Sequence, residues 1–234
     1  LAPALHGVTD LLLIGAMGPA QTEQELALVA AAASAGVRRV VKLSVWRADE
    51  ELTPVARLHR PVEQAIAASG LVWSFLRPNF YMQNFGRAGA AIAAGTLAQP
   101  PSAAPISFID ARDVAAVAVA VLCSGDRADP DKGAHDSAIY DLTGPEALTY
   151  DEAAAVFATV LRTPVRHVSL TGEVARASML ARGLPSFHVE ALLEVAAAYR
   201  DGGADTVTST VADLTGRPPR SLADYARDHR ATFA

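Results

Sequence analysis

The chain has 234 residues, half of them hydrophobic (51%), and a net charge of −5. Its lysines and arginines are scattered rather than clustered, which leaves no electrostatic footprint for a nucleic acid backbone. A single cysteine, Cys123, excludes an internal disulfide framework and any CxxC-type zinc site, and the longest apolar stretches, such as 114–123, are about half of what a bilayer crossing needs. These features fit a reducing cytoplasm, with no membrane and no nucleic acid as partner.

The sequence begins at Leu1 and runs almost at once into residues 11–14, a continuous apolar run ending at Gly15. Such a run is the pattern of a parallel, central strand covered on both faces. Thr22 and Glu25 have the spacing of a capping box, opening an alanine-rich helix that stops at Gly36. Residues 37–44 supply a second strand with β-branched residues at 37, 40 and 41. Apolar residues at 55, 58, 62, 65 and 66 have helical spacing over 55–69, and 71–76 forms a third strand closed by Arg77 and Pro78.

Residues 80–94 read as one helix, 99–105 as a loop, and 106–109 as a short strand after which Asp110 caps a helix to Cys123. Residues 124–138 are polar and read as an exposed loop. A strand over 139–142 follows, then a second capping box at Thr149 and Glu152 that opens a helix to Leu161. A strand over 165–170, helices over 172–182 and 186–201, and a last helix capped by Ser221 and Asp224 complete the pattern. Alternating strands and helices imply a doubly wound, mainly parallel α/β sheet. A dinucleotide-binding domain is expected over 1–145, with a smaller helical substrate lobe over 146–234 that is not an independent domain.

Five stretches, in this order and spacing, carry a resemblance: 4–10 (ALHGVTD), 35–44 (AGVRRVVKLS), 76–84 (LRPNFYMQN), 108–115 (FIDARDVA) and 142–146 (LTGPE). Together they resemble the NmrA-like, atypical short-chain dehydrogenase/reductase family, across nearly the whole chain. The resemblance implies a Rossmann-like fold and NADP(H) or NAD(H) as cofactor. In that family a first strand, a glycine-rich turn and two further strands precede the stretch that these five segments span, so an upstream segment is expected to be missing or supplied separately. An unprotected sheet edge at 11–14 is the physical ground for that expectation.

Ligands of open parallel sheets sit at the carboxyl ends of the strands, which selects 15–19, 42–46 and 77–84 as one rim. By resemblance Gly15, Ala16, Met17, Lys42, Pro78, Asn79 and Phe80 border the cofactor, while Trp46, Tyr81 and Asn84 border the substrate. Lys42 in an apolar strand must be paired, reach solvent or meet a phosphate. Ser44 either orients substrate or closes its strand on local backbone. His59 lies where classical relatives carry the lysine of a Tyr-x-x-x-Lys pair, with Val55 in place of the tyrosine; it is either an acid or base or a partly exposed structural residue. Lys42, Ser44 and His59 are therefore the catalytic candidates.

Phe80 and Tyr81 serve equally as core, whereas Asn84, an amide in an apolar stretch, needs partners. Asp110, Arg112 and Asp113 read as a stabilising helix-start network. Trp46, Met179, Phe187 and Tyr199 suit an apolar substrate wall by fold analogy. His6, His135, His167, His188 and His229 lack metal-site spacing. The function these readings imply is hydride transfer from NAD(P)H to a small carbonyl, quinone or enone. The alternatives are a non-catalytic dinucleotide-binding redox sensor, or a truncated scaffold reused for a redox-neutral cyclisation or dehydration. The sequence leaves room for a homodimer.

Overall fold

Apolar, β-branched runs become strands wherever they can be covered on both faces, and alanine-rich stretches between them become helices. In the computed structural model, residues 2–100, 104–123 and 135–233 are described. The elements are β1 (Asp10–Leu13), α1 (Gln21–Ser34), β2 (Arg39–Leu43), α2 (Pro54–Ala68), β3 (Val72–Pro78), α3 (Gln83–Gly86), α4 (Gly89–Ala93) and β4 (Thr96–Gln99). Then come α5 (Ala111–Cys123), β5 (Ala138–Leu142), α6 (Tyr150–Leu161), β6 (Arg166–Ser169), α7 (Gly172–Ala181), α8 (Ser186–Ala198), α9 (Thr210–Thr215) and α10 (Leu222–Asp228). Most of the expected 124–138 loop, and residues 101–103 of the 99–105 loop, lie outside the described residues. Packing groups Leu1–Pro78 with Ala115–Leu142 in one unit and Asn79–Val114 with Thr143–Ala234 in a second. Residues 79–114, expected with the first unit, thus go with the second.

The first unit holds a four-stranded sheet in the order β1-β2-β3-β5 with every neighbour parallel. Register pairs Leu13 with Lys42, Leu43 with Leu76 and Pro78 with Leu142, so all four strands end on the same side of the sheet. β2 is buried on both faces along Arg39–Lys42. On one face Leu13, Val40 and Phe75 pack against Val29 and Ala32 of α1 and Val62 and Ile66 of α2. Each of these side chains larger than alanine contributes roughly 1.5–3 kcal/mol by burial. The parallel α/β expectation holds in this unit.

Two expectations for the unit need correction. The strand expected to be central, β1, is the edge of the described sheet: it pairs only with β2, and Leu12 and Ile14 are exposed. The Thr22–Glu25 capping box does not form, and the N-cap is Ala20 with no side-chain bond. Thr22 instead donates from Oγ1 to the Leu58 carbonyl at 2.9 Å, and Glu25 turns inward to a buried cation. A charge-assisted bond to an ammonium outweighs one to a backbone amide, so tertiary structure overrides the local motif.

The second unit pairs β4 with β6 in parallel. The strand expected over 106–109 is reduced to two isolated bridges, Ile106 with Leu148 and Tyr81 with Ile109. The single helix expected over 80–94 is broken into α3 and α4. A Cβ added at Gly89 would lie 2.4 Å from the Thr232 carbonyl, so a glycine is needed where α4 begins. Neither β4 nor α9 was expected, since neither segment shows a clear period.

Phe85 meets Phe108 and Phe157 edge-on, and Phe157 stacks obliquely on Phe233, giving this unit an aromatic core. The capping boxes at Thr149–Glu152 and Ser221–Asp224 both form as expected. Asp110 accepts from the Arg112 backbone at 2.8 Å and pairs with its guanidinium, while Asp113 pairs with Arg220, so the helix-start network is stabilising as read. No helix among the described residues is long and apolar enough to cross a membrane.

Candidate active site at the strand ends

The buried face of α1 runs Gln21, Glu25, Val29, Ala32, and that of α2 runs Ala56, His59, Val62, Glu63, Ile66. Both stripes have helical spacing; α1 is polar at its first two buried positions and apolar farther on, while α2 sets His59 and Glu63 among apolar residues. These polar positions assemble the rim of the first unit. Lys42, fully buried on β2, donates to Glu25 Oε2 at 2.6 Å. Gln21 Nε2 lies 3.3 Å from Glu25 Oε1 and 3.1 Å from His59 Nε2. Burial pushes the Lys42 ammonium below its ordinary pKa, partly offset by Glu25. Of the readings open for this lysine, the structure selects pairing.

Glu63 forms the second node. Both its oxygens take a forked pair from Arg77 at 3.0 and 2.7 Å, and Ser44 Oγ donates to Oε1 at 2.6 Å. Arg77 reaches on to Asp49 at 2.6 Å. Burial alone would lower the Arg77 pKa, but its bonds to Glu63 and its attraction to Asp49 hold it above the ordinary value. Ser44 therefore closes its strand through a side chain on α2, while its backbone N–H bonds the Leu76 carbonyl at 2.7 Å. Trp46, 5% exposed, donates its backbone N–H to the Pro78 carbonyl at 3.0 Å. These bonds fix the exits of β2 and β3 side by side.

Of the two readings open for His59, the partly exposed one does not hold. His59 is 8% exposed, and burial together with the nearby Lys42 charge pushes its pKa down to about 3. Gln21 has its amide N–H groups to give, so His59 Nε2 accepts and the ring proton sits on Nδ1. Near neutral pH His59 is a neutral side chain within the Gln21–Glu25–Lys42 chain of bonds.

Above these nodes the β1 exit, residues 14–18, carries Ile14, Gly15, Ala16, Met17 and Gly18, with no charged side chain. Ile14 is 60% exposed. A Cβ on Gly15 would lie 1.9 Å from Glu25 Oε1, so the backbone here rests directly on that carboxylate. The donor set suits a flat, uncharged ring and its riboside: apolar side chains and backbone lie at the surface, and charge is neutralised beneath. Its one lysine is committed to Glu25. A fit to the uncharged part of a dinucleotide is therefore supported by these residues.

The remaining expected residues lie in the second unit. Asn79, 4% exposed, donates to Ser107 Oγ and to the Ala204 carbonyl, each at 2.8 Å. Phe80 is half-buried and packs edge-on to Phe108 and Tyr199. Burial raises the Tyr81 phenol to about 12, so it is neutral at physiological pH. Asn84 is exposed, contrary to the buried amide expected; α3 is too short to turn it inward, and Asn79 is the amide that is buried. Among the described residues, no three His, Cys, Asp or Glu side chains group as metal ligands. Sequence reasoning missed Gln21, Glu25 and Glu63, although all three interrupt apolar stripes at helical spacing.

A parallel sheet whose strand ends gather around a neutral, apolar-lined rim defines a nucleotide-binding α/β protein of Rossmann-like architecture. Residues 1–225 match the model of the NmrA-like family, and the chain belongs to that family. It is 34% identical to an NAD(P)H azoreductase from Xenophilus azovorans, over 100% of this chain and 79% of that protein. It is 37% identical to a (4-alkanoyl-5-oxo-2,5-dihydrofuran-3-yl)methyl phosphate reductase from Streptomyces griseus, over 99% of this chain and 79% of that one. An NADPH-dependent quinone oxidoreductase from Escherichia coli, complexed with NADPH, superposes with a TM-score of 0.86 at 26% identity, covering 98% of this chain and 79% of that one.

Proposed function

We propose that this chain is an NAD(P)H-dependent reductase of a small conjugated acceptor such as a quinone, an enone or an activated carbonyl. One observation carries the reading: β1, β2 and β3 end side by side, so that Gly15, Ser44 and Arg77 belong to one rim. The names of these three relatives, reductases of conjugated or azo compounds or of quinones, support it.

Gly15, Ala16 and Met17 would seat the ring and riboside of the cofactor, as an uncharged shelf. A reduced nicotinamide bound there supplies the hydride. Lys42, Ser44 and His59 act beneath that shelf. Lys42 neutralises Glu25, Ser44 ties β2 to Glu63, and His59 completes the Gln21 bond. Lys42 is held by Glu25 and His59 is neutral near pH 7, so in this reading the proton for the reduced acceptor comes from water. An acceptor whose reduced form is a delocalised anion, protonated by water, suits such a rim. The lone Cys123 is compatible with a reducing compartment, and a cytoplasmic location is part of this proposal.

The test is a titration of the full chain with NADPH and NADH, followed by nicotinamide fluorescence. It is paired with loss of reduced-nicotinamide absorbance in the presence of a quinone, an enone and an azo dye. Saturable binding and turnover of at least one acceptor are expected. Absence of both with either nucleotide would end the proposal.

A further inference from the structure

The buried pair Glu25–Lys42 lies under Gly15, the point of the rim where the backbone leaves β1 without a side chain. Glu25 is 3% exposed and Lys42 fully buried. A Cβ at position 15 would meet three atoms of the glutamate at once, Oε1 at 1.9 Å, Cδ at 2.8 Å and Cγ at 3.1 Å. A flexible side chain would ordinarily yield to such a contact. This one is held by Lys42 at 2.6 Å on one oxygen and lies 3.3 Å from Gln21 on the other. The backbone leaving β1 therefore has a fixed stop, set by α1 and β2 rather than by its own turn.

We infer that Glu25 is a positioning residue: its carboxylate, clamped by Lys42, sets the height of the Gly15–Ala16–Met17 backbone against which a nicotinamide riboside packs. The inference rests on the reductase reading and deepens it by giving the Lys42 charge a purpose away from the chemistry. Removing the charge of one partner would strand the other in the interior. Shape changes that keep both charges are therefore the informative ones. Gly15→Ala pushes the backbone off its stop. Glu25→Asp withdraws the stop by one methylene, and the long lysine stem can follow.

The experiment measures the dissociation constant of NADPH for the full chain by nicotinamide fluorescence, in the wild type, Gly15→Ala, Glu25→Asp and the double variant. Gly15→Ala is expected to weaken NADPH about tenfold. The double variant is expected to recover most of that loss, because the shorter carboxylate makes room for the new methyl. In Glu25→Asp alone, KM for NADPH should rise several-fold while KM for the electron acceptor stays unchanged. A merely structural role would lower the amount of active protein and leave both KM values in place.

Wild-type affinity in Gly15→Ala, or a double variant no tighter than Gly15→Ala, would overturn the positioning role and leave the reductase reading standing. Should Gly15→Ala fail to fold, the KM split in Glu25→Asp decides, and equal changes in both KM values would refute it. A wild-type chain that binds neither nucleotide removes both.

Discussion

His59 offers a quantitative check on the buried node, because its environment contains a cation and an amide but no carboxylate in contact. Its pKa in the folded chain, about 3, lies below the 6.5 of an exposed histidine. The stability it contributes is therefore complete above about pH 6.5 and drains away as pH falls toward 3, because the unfolded chain takes up a proton that the folded chain refuses. Between pH 7.5 and 5.5 the linkage amounts to about 1.4 kcal/mol, one decade of protonation in the unfolded state. His59→Gln keeps an acceptor for Gln21 and cannot titrate. Urea unfolding of both proteins at half-unit pH steps isolates the residue, since every other titrating group is common to the two. The wild type should lose about 1.4 kcal/mol more than the variant across that interval. Parallel curves would show that His59 protonates as readily in the folded chain, and the closed node would be wrong.

Other substitutions probe the remaining supports. Glu63→Ala removes the carboxylate shared by Arg77 and Ser44, leaves a buried guanidinium without its forked partner, and should cost roughly 3–5 kcal/mol in chemical denaturation. Ser221→Ala deletes the α10 cap at a cost of about 1 kcal/mol. Its signature is an Asp224 carboxyl that climbs from about 2, where the Ser221 bonds hold it, when followed by NMR titration. Gly89→Ala forces a methyl toward the Thr232 carbonyl and should destabilise the chain by about 1–3 kcal/mol, read as a lower urea midpoint.

Elements whose burial follows a period were legible in the sequence. The β-branched stretch around Val40 and Val41 announces a strand covered on both faces, and it is one. The motifs at Thr149 and Ser221 announce helix starts because nothing else competes for Glu152 or Asp224 except the cap and, for Asp224, Arg227. The same pattern at Thr22 misleads because Glu25 faces inward and finds Lys42. Sequence shows a lysine stranded in an apolar strand, but its partner lies on another element seventeen residues away, and only the fold brings the two together. His59 and Glu63 share a helical stripe with Val62 and Ile66, a spacing that would have placed both inside. The stripe read from the apolar residues alone ran one position off. β4 carries no alternation to read, and the need for glycine at position 89 comes from Thr232, far along the chain.

The central claim is that the nucleotide is met at the carboxyl ends of β1, β2 and β3. Hydrogen–deuterium exchange of the full chain, with and without saturating NADPH, tests it most directly. Protection should rise at residues 14–18 and 44–46 and stay unchanged at 9–10 and 38–39, where the same strands begin. Protection confined to those strand beginnings, with the ligand demonstrably bound, would contradict the claim.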